Sequence, residues 1–373
     1  MKGPVFKIAP DLWEKVRALG EAAQTEAVSA KSRGDLLPFR CWIYPAKAGS
    51  RPVPLFKSLL SNVCSNTCLY CACRWGRDTR RFRLSPEEMA RAFWELYRRG
   101  LVKGIFLSSS IDGSAARVSE QLIATAEILR YRYGFQGYIH LKVMPGADEA
   151  TMRMAVQLAD RVSVNLEAPS ERRLKAICPE KDFQGILSQI RALKAILQEG
   201  TGRAKDQTTQ FVVGAAGETD KEILDLVSAL YRDYGLKRCY FEAFSPVWAT
   251  PLEDLPPESP LRQKRLYEAS FLLRDYGFAT EELPFDTKGN LPLDYDPKMA
   301  WALRHPEFFP VELNRAEPEQ LLRVPGLGPR SVSKILALRA RGPLKWEDLK
   351  GLRIPLKRAA PFMTVDGKPL RRA

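Results

Sequence analysis

The chain has two histidines in 373 residues and seven cysteines, an odd number. Four of the seven, Cys64, Cys68, Cys71 and Cys73, crowd into one short stretch. An odd and clustered set argues against a disulfide framework and for thiol or metal chemistry in a reducing compartment. Long apolar runs are also missing: no stretch approaches the ~20 residues that a membrane helix needs. The N-terminal MKGPVFKIAPDLWEKV has no apolar signal core. A soluble, cytoplasmic protein with no membrane partner is therefore expected. Hydrophobic content is ordinary at 45%, enough for a sizeable core, and the length suits one large domain with a small one.

Negative charge is the scarcer sign. The net charge is +14, and it is unevenly placed. Asn314–Ala373 holds 14 Lys and Arg against 5 Asp and Glu, leaving a surplus of only five positive charges for the other 313 residues. A basic C-terminal module points to a polyanionic partner, nucleic acid first, with solubility charge as the alternative.

From Pro54 a strand–helix rhythm begins. Strands are expected at Leu55–Leu60, Gly104–Ser108, Gly137–Val143, Arg161–Leu166, Thr209–Val213 and Arg238–Phe244. Helices are expected at Pro86–Arg99, Ser119–Tyr131, Glu149–Leu158, Phe183–Gln198, Asp220–Tyr231 and Pro260–Tyr276. Ser85-Pro86-Glu87-Glu88 and Thr219-Asp220-Lys221-Glu222 both read as capping boxes. Six such units imply a parallel sheet with outer helices. They are too few for a closed eightfold barrel, so an open, partial (β/α)6 barrel is expected. Alternation along the strands sets Val162, Val164 and Leu166 against Ser163, Asn165 and Glu167, and Ile139, Leu141 and Val143 against Tyr138, His140 and Lys142. Tyr240 and Glu242 share a face. With helices outside, the polar face lines a lumen suited to a polar cofactor and substrate.

The chemistry concentrates in Asn62–Arg77, NVCSNTCLYCACRWGR. Cys64, Cys68 and Cys71 stand in C-x3-C-x2-C spacing. Thiolates so spaced on a tight loop can wrap one face of a metal cluster, and an iron–sulfur cube with three protein ligands keeps one iron open for substrate or cofactor. Cys73 supplies a fourth thiol, so a closed zinc site is an alternative, although zinc sites usually use two separated pairs. Buried free thiols are the third reading. Around the cysteines lie Arg74, Arg77, Arg80, Arg81 and Arg83, with Trp75 and Phe82 interleaved. Arginine forks bind phosphates and aromatics stack on unpaired bases; a solvated loop is the alternative. Cys41, Cys178 and Cys239 read as packing residues, and His305 has no assigned role.

With Tyr70 before its third cysteine, the motif resembles the signature of the radical S-adenosylmethionine enzymes. The resemblance implies a [4Fe–4S] cluster on Cys64, Cys68 and Cys71, with S-adenosylmethionine on the open iron. One electron then yields a 5′-deoxyadenosyl radical that abstracts a substrate hydrogen. The family's second strand usually ends in a Gly-Gly-Glu-like stretch that holds the cofactor's amino group. Here that place reads Leu107-Ser108-Ser109-Ser110, which leaves backbone contacts from Ser108, Ser109 and Ser110. Asn165 and Glu167 stand where the family places polar cofactor contacts. Val213-Gly214-Ala215-Ala216-Gly217-Glu218 is similar to its glycine-containing adenine motif, which implicates Gly214, although such glycines often only turn the chain.

At the C-terminus, PEQLLRVPGLGPRSVSKILALRAR spans Pro318–Arg341. A short helix, the turn Pro325-Gly326-Leu327-Gly328 and a helix opened by Pro329 closely resemble a helix-hairpin-helix motif. The exposed N–H groups of such a turn, with the next helix's N-terminus, suit a DNA phosphate. Gly326, Leu327, Gly328, Arg330, Ser331 and Lys334 are the expected contacts. Trp346–Met363 looks like a degenerate second copy. Paired copies would grip phosphates without reading base sequence.

A radical-generating barrel followed by such a tail resembles the DNA modification/repair radical S-adenosylmethionine proteins, a group associated with uracil-DNA-glycosylase-like proteins. The resemblance implies action on a DNA base or sugar, a glycosylase-like partner and an electron donor. The expected layout is a helical lead-in (1–50), the barrel (51–276), a Pro- and aromatic-rich connector (277–313) and a helix-hairpin-helix domain (314–373). The alternatives are an RNA-modifying radical enzyme and a non-catalytic DNA-binding iron–sulfur protein.

Overall fold

A computed structural model describes residues 10–23, 42–48, 51–352 and 354–369. Cys41 and Arg353 lie outside the described residues. The chain forms two compact units: the first runs to Glu218 and includes Arg232–Glu258, and the second comprises Thr219–Tyr231 and the chain from Ser259 onward.

In the first unit, seven strands form one sheet in sequence order: β1 (Ile43–Ala48), β2 (Arg51–Leu59), β3 (Gly104–Ser108), β4 (Tyr138–Lys142), β5 (Arg161–Ser163), β6 (Asp206–Val213) and β7 (Arg238–Ala243). β1 and β2 pair antiparallel, and β2 to β7 are all parallel. The six expected parallel strands are therefore present. β1 is an addition that the sequence reading assigned to a helical lead-in, whose helical part is α1 (Leu12–Ala23). The returns between strands are made by α2 (Pro86–Arg98), α3 (Ala115–Glu127), α4 (Glu149–Leu158), α5 (Glu171–Ile177) and α6 (Phe183–Gln198). α2 opens on a complete capping box between Ser85 and Glu88. α3 starts four residues earlier than expected and runs into a π-helical turn at Ile128–Arg132. From that turn the buried Arg130 donates to the carbonyls of Phe135, Gly137 and Leu158 and pairs with Asp160, tying the starts of β4 and β5 together.

Burial follows the expected strand phase. Ile105, Leu107, Ile139, Leu141, Val162, Phe211 and Phe241 are almost wholly buried, on the face that α2, α3, α4 and α6 cover by packing on one another in succession. Burying each such side chain contributes about 1.5–3 kcal/mol. Their strand neighbours Phe106, His140, Gln210, Tyr240 and Glu242 keep partial exposure. A filled barrel would show the reverse, so this inner face borders open space. The sheet curls: Tyr44 of β1 lies within the electrostatic reach of Arg238, Tyr240 and Glu242 of β7. Opposite ends of the strand order thus face one another in a half-barrel.

One strand end departs from expectation. β5 stops at Ser163 instead of Leu166. Beyond it Glu167 adopts a left-handed backbone, φ 66°. Its N–H donates to Gln210 and its carbonyl accepts from Val212, so a single residue bridges to β6.

The second unit contains α7 (Asp220–Arg232), α8 (Pro260–Asp275), α9 (Pro297–Arg304), β8 (Val311–Glu312), α10 (Pro318–Arg323), α11 (Pro329–Arg339), α12 (Leu356–Ala359) and β9 (Met363–Thr364). The expected connector thus carries a helix, α9. Asp220 at the start of α7 binds Arg262 at 2.7 Å and accepts from the Leu291 N–H at 2.8 Å. Val311, Leu321, Val324, Leu327, Val332, Ile335, Leu349 and Met363 pack into one core.

Candidate metal and cofactor centre

The cysteine loop leaves β2 at Leu60 and is held mainly by one arginine. Arg81 donates to four backbone carbonyls: Asn62 at 2.6 Å, Cys73 at 2.8 Å, Arg74 at 2.8 Å and Arg77 at 3.0 Å. Guanidinium geometry makes this possible, since five N–H donors lie in one rigid plane. The Asn62 side chain donates to the Arg80 carbonyl at 3.0 Å and accepts from the Phe82 N–H at 2.7 Å. The segment after β3 is tied in as well. The Ser65 N–H donates to Ile111 at 2.7 Å. Asp112 accepts from Ser61 at 2.9 Å and pairs with Arg83, which holds its carboxyl below the usual range.

A third segment grips the loop from beyond α5. The Leu69 N–H donates to the Ile177 carbonyl at 2.8 Å, and the Thr67 N–H to Glu180 at 2.9 Å. Cys178 lies against both Cys68 and Tyr70, with its sulfur 3.9 Å from the Tyr70 hydroxyl. The reading of Cys178 as a plain packing residue is thus incomplete. Lys181 is buried and pairs with Glu167 at 2.8 Å. Burial opposes its charge, but Glu167 and the neighbouring thiols more than restore it.

Three of the clustered thiols differ from one another. Hydrogen bonding to Cys178 lowers the Cys68 thiol against the effect of burial, with help from the Lys181 charge. The Cys71 thiol is pushed up by its hydrogen bond to Cys73 and by burial, and the Cys64 thiol by burial. No group of three or more His, Cys, Asp or Glu among the described residues converges as a single ion requires. The thiols nevertheless lie within mutual electrostatic reach. Sulfur donors on one braced loop, near one another without meeting at a point, fit a multi-iron cluster whose thiolates bind separate irons.

The other expected cofactor residues gather at the same strand ends. Ser108 accepts from the Leu60 N–H at 2.9 Å, and the Ser110 N–H donates to Ser61 at 3.0 Å. Their backbones are therefore used to hold the cysteine loop. Ser109 keeps a buried hydroxyl with no hydrogen-bond partner. Asn165 is nearly buried just past β5, and the Glu167 carboxylate is taken up by Lys181. Gly214 has φ 92° and donates its N–H to Glu218 at 2.5 Å. The Ala216 N–H donates to the same carboxylate, so this loop closes on its own side chain. A Cβ at Gly214 would strike Glu258 at 2.5 Å.

All five arginines around the loop are engaged by protein groups. Arg74 reaches Thr67, Arg77 reaches Ala72 and Trp248, Arg80 pairs with Glu14, and Arg81 and Arg83 are bound as described. The rim therefore braces the loop more than it offers free cations. Trp75 and Trp248 beside it are exposed, at 64% and 75%, but Phe82, expected to stack on bases, is buried.

In the second unit, Gly326 and Gly328 flank the buried Leu327. The Leu327 N–H donates to Val324 at 3.1 Å. Its carbonyl accepts from the buried Lys298 at 2.5 Å. Gly326 has φ 89°, and a Cβ there would meet Pro355 at 3.1 Å. Arg330 and Lys334 are exposed one turn apart on α11, and Ser331 between them is partly buried.

The sequence reading missed Lys181 and Lys298, took Cys178 for a packing residue and took Arg81 for part of a phosphate-binding rim. Lys181 follows the turn Cys178-Pro179-Glu180, and a charged residue just past a short helix was the only local hint.

Residues 58–230 match the Radical SAM superfamily. Among curated relatives, a tRNA-2-methylthio-N(6)-dimethylallyladenosine synthase of Clostridium perfringens (strain SM101 / Type A) is 24% identical over 204 residues, 53% of this chain and 44% of its own length. Its counterpart in Lachnoclostridium phytofermentans is 20% identical over 204 residues. The chain thus spans less than half the length of these relatives. Among solved structures, methylornithine synthase superposes with a TM-score of 0.47 at 16% identity, covering 58% of this chain and 60% of that one. A radical SAM methyltransferase from Sphaerobacter thermophilus does so with 0.43 at 15% identity, covering 69% of this chain and 85% of that one. No helix among the described residues is long and apolar enough to cross a membrane. The cysteine motif, the parallel half-barrel and the match at 58–230 converge: the chain carries a Radical SAM superfamily domain, and it is an enzyme whose cofactors are a [4Fe–4S] cluster and S-adenosylmethionine.

Proposed function

We propose that this enzyme modifies or repairs DNA, in the manner of the radical S-adenosylmethionine proteins that carry a helix-hairpin-helix tail. The observation that carries the reading is the turn Gly326–Gly328, set on a buried core beside exposed Arg330 and Lys334 in the most basic part of the chain. Cys64, Cys68 and Cys71 would hold the cluster. Ser109 and Asn165 would face the cofactor, Tyr70 would pack against the cluster loop, and Gly214 would shape the loop beneath it. Glu167 would act by fixing Lys181 beside Cys68. When bound, the cluster and S-adenosylmethionine supply hydrogen-abstracting chemistry, while the protein supplies position and exclusion of water. A base inside a duplex would first be extruded. An electron donor is required, and a glycosylase-like protein is the proposed partner.

A second reading is RNA modification, favoured by the tRNA-modifying relatives. Binding of the full chain to duplex DNA, single-stranded DNA and folded RNA at matched salt separates the two. Preference for DNA supports the first; equal or tighter binding to folded RNA removes it.

A further inference from the structure

The inner face of the half-barrel carries polar groups that neither the cysteine loop nor the strand ends use. Four successive strands each leave one buried polar atom there without a hydrogen-bond partner: His140 Nε2 on β4, Ser163 Oγ on β5, Thr208 Oγ1 on β6 and Glu242 Oε2 on β7. Ser163 and Thr208 lie directly opposite each other in the β5–β6 register. Native interiors rarely strand buried polar atoms unless something outside the chain completes them. One orphan could be a packing accident; one per strand on a shared face describes a lining.

The surroundings narrow the occupant. The His140 ring packs on Phe106 with centroids 4.4 Å apart. Both rings, like Tyr240 and Glu242, are partly exposed. Burial keeps His140 neutral and pushes the Glu242 carboxyl up to about 7, opposed by Lys57 across the lumen. Lys57 is itself held by the Ala23 carbonyl at 2.6 Å. Lys142 and Arg161 also bear on His140, and Arg161 is taken up by Asp206. A cationic occupant would meet Lys57 and Lys142 and an anionic one would meet Glu242, whereas an uncharged ring meets neither penalty. Aromatic walls with adjacent donors and acceptors suit a flat, uncharged ring.

We propose that the lumen receives an uncharged planar heterocycle, a nucleobase, and that Glu242, with His140, is the residue that reads its hydrogen-bonding edge. A carboxyl that carries its proton can donate and accept side by side, matching a ring edge with an acceptor next to a donor. This rests on the reading of the substrate as nucleic acid, and it selects the base over the sugar as the part held in the barrel.

The test uses the full chain and two sets of probes. Free guanosine, adenosine, cytidine, thymidine and uridine are titrated beside ribose 5-phosphate. Short single-stranded oligonucleotides carrying 2-aminopurine or an abasic site are titrated for binding and base fluorescence. The expected result is that a nucleoside binds while ribose 5-phosphate does not, that 2-aminopurine is quenched, and that Glu242→Ala weakens base binding about tenfold or more. Glu242→Gln, neutral and still donor and acceptor, should stay within about threefold. His140→Phe, which keeps the stack, should weaken binding without loss of fold. Abasic binding should not change in any variant. Equal binding of base-bearing and abasic strands overturns the inference, as does a Glu242→Ala variant that binds every nucleoside like the parent, or a Gln variant as weak as the Ala. Nucleoside binding that needs Glu242, with no oligonucleotide bound, would keep the inference and remove the nucleic-acid reading. Oligonucleotides bound tightly, with no dependence on the base or on Glu242, would do the opposite.

Discussion

The guanidinium of Arg81 donates to the Cys73 carbonyl at 2.8 Å, and with its other bonds it spans the cysteine loop from Asn62 to Arg77. Two ends of one loop therefore meet on a single side chain, and the spacing of the thiols depends on it.

Arg81→Met should leave the fold intact but lower iron and sulfide content after anaerobic reconstitution by more than half, because buried carbonyls lose charge-assisted bonds of about 1.5–3 kcal/mol each. Arg81→Lys should recover little, since an ammonium cannot reproduce the planar fork. Full iron loading of the Met variant would show that the loop holds its shape without this brace.

Cys64→Ala, Cys68→Ala and Cys71→Ala should each abolish the reduced-cluster electron paramagnetic resonance signal and 5′-deoxyadenosine formation. Cys73→Ala and Cys178→Ala should keep both, with an altered signal in the Cys178 variant because its thiol bonds to Cys68. A Cys73 variant as dead as the Cys64 variant would mean a four-thiolate, closed site.

Glu242 gives a pH signature in stability. Its folded-state value is pushed up to about 7 by burial, against Lys57, so the folded chain holds a proton that the unfolded chain releases near pH 4–5. The unfavourable cost of the charged form is absent at pH 4, grows as pH rises and is complete above 7. Glu242→Gln should therefore stabilise the protein by about 3 kcal/mol at pH 8 and by little at pH 4–5. Chemical denaturation at the two pH values measures it; a difference independent of pH would place the charged carboxyl in a solvated or paired setting. Tyr44 also approaches this group, and burial pushes its hydroxyl up, so it stays neutral over that range.

Duplex binding should fall steeply with salt. Arg330→Ala and Lys334→Ala should each reduce the slope of log affinity against log salt by about one, with little effect on preference among sequences. Lys298→Met, which removes the donor to Leu327, should weaken binding through the shape of the turn and leave that slope unchanged. An Arg330 or Lys334 variant with the parent's slope would separate α11 from the phosphates.

Much of the half-barrel was legible because it is written in short-range pattern. Alternation in Tyr138–Val143 and Arg161–Leu166 gave the inner and outer faces, and Ser85 with Glu88 marked the start of α2. β1 was not legible: Pro45 breaks its pattern, and its pairing with β2 sets Pro45 opposite Pro54, an arrangement tolerated only at a sheet edge. α5 is seven residues long, too short for periodicity to show. The thiol spacing located the cluster loop, but Cys178 reaches Cys68 from more than a hundred residues away, and only the folded chain brings them together. The basic run also misled, because arginine serves a carbonyl or a carboxylate as readily as a phosphate.

Lys57 stands one residue before the segment that matches the superfamily, and it is held by the last residue of α1. Tyr44 and Glu242, which face each other, both lie outside that segment as well. The wall of the half-barrel is thus shared between the segment that matches the superfamily and strands on either side of it. A fragment cut to residues 58–230 would keep every cysteine of the loop and lose β1, most of β2 and β7, and with them both edges of the half-barrel.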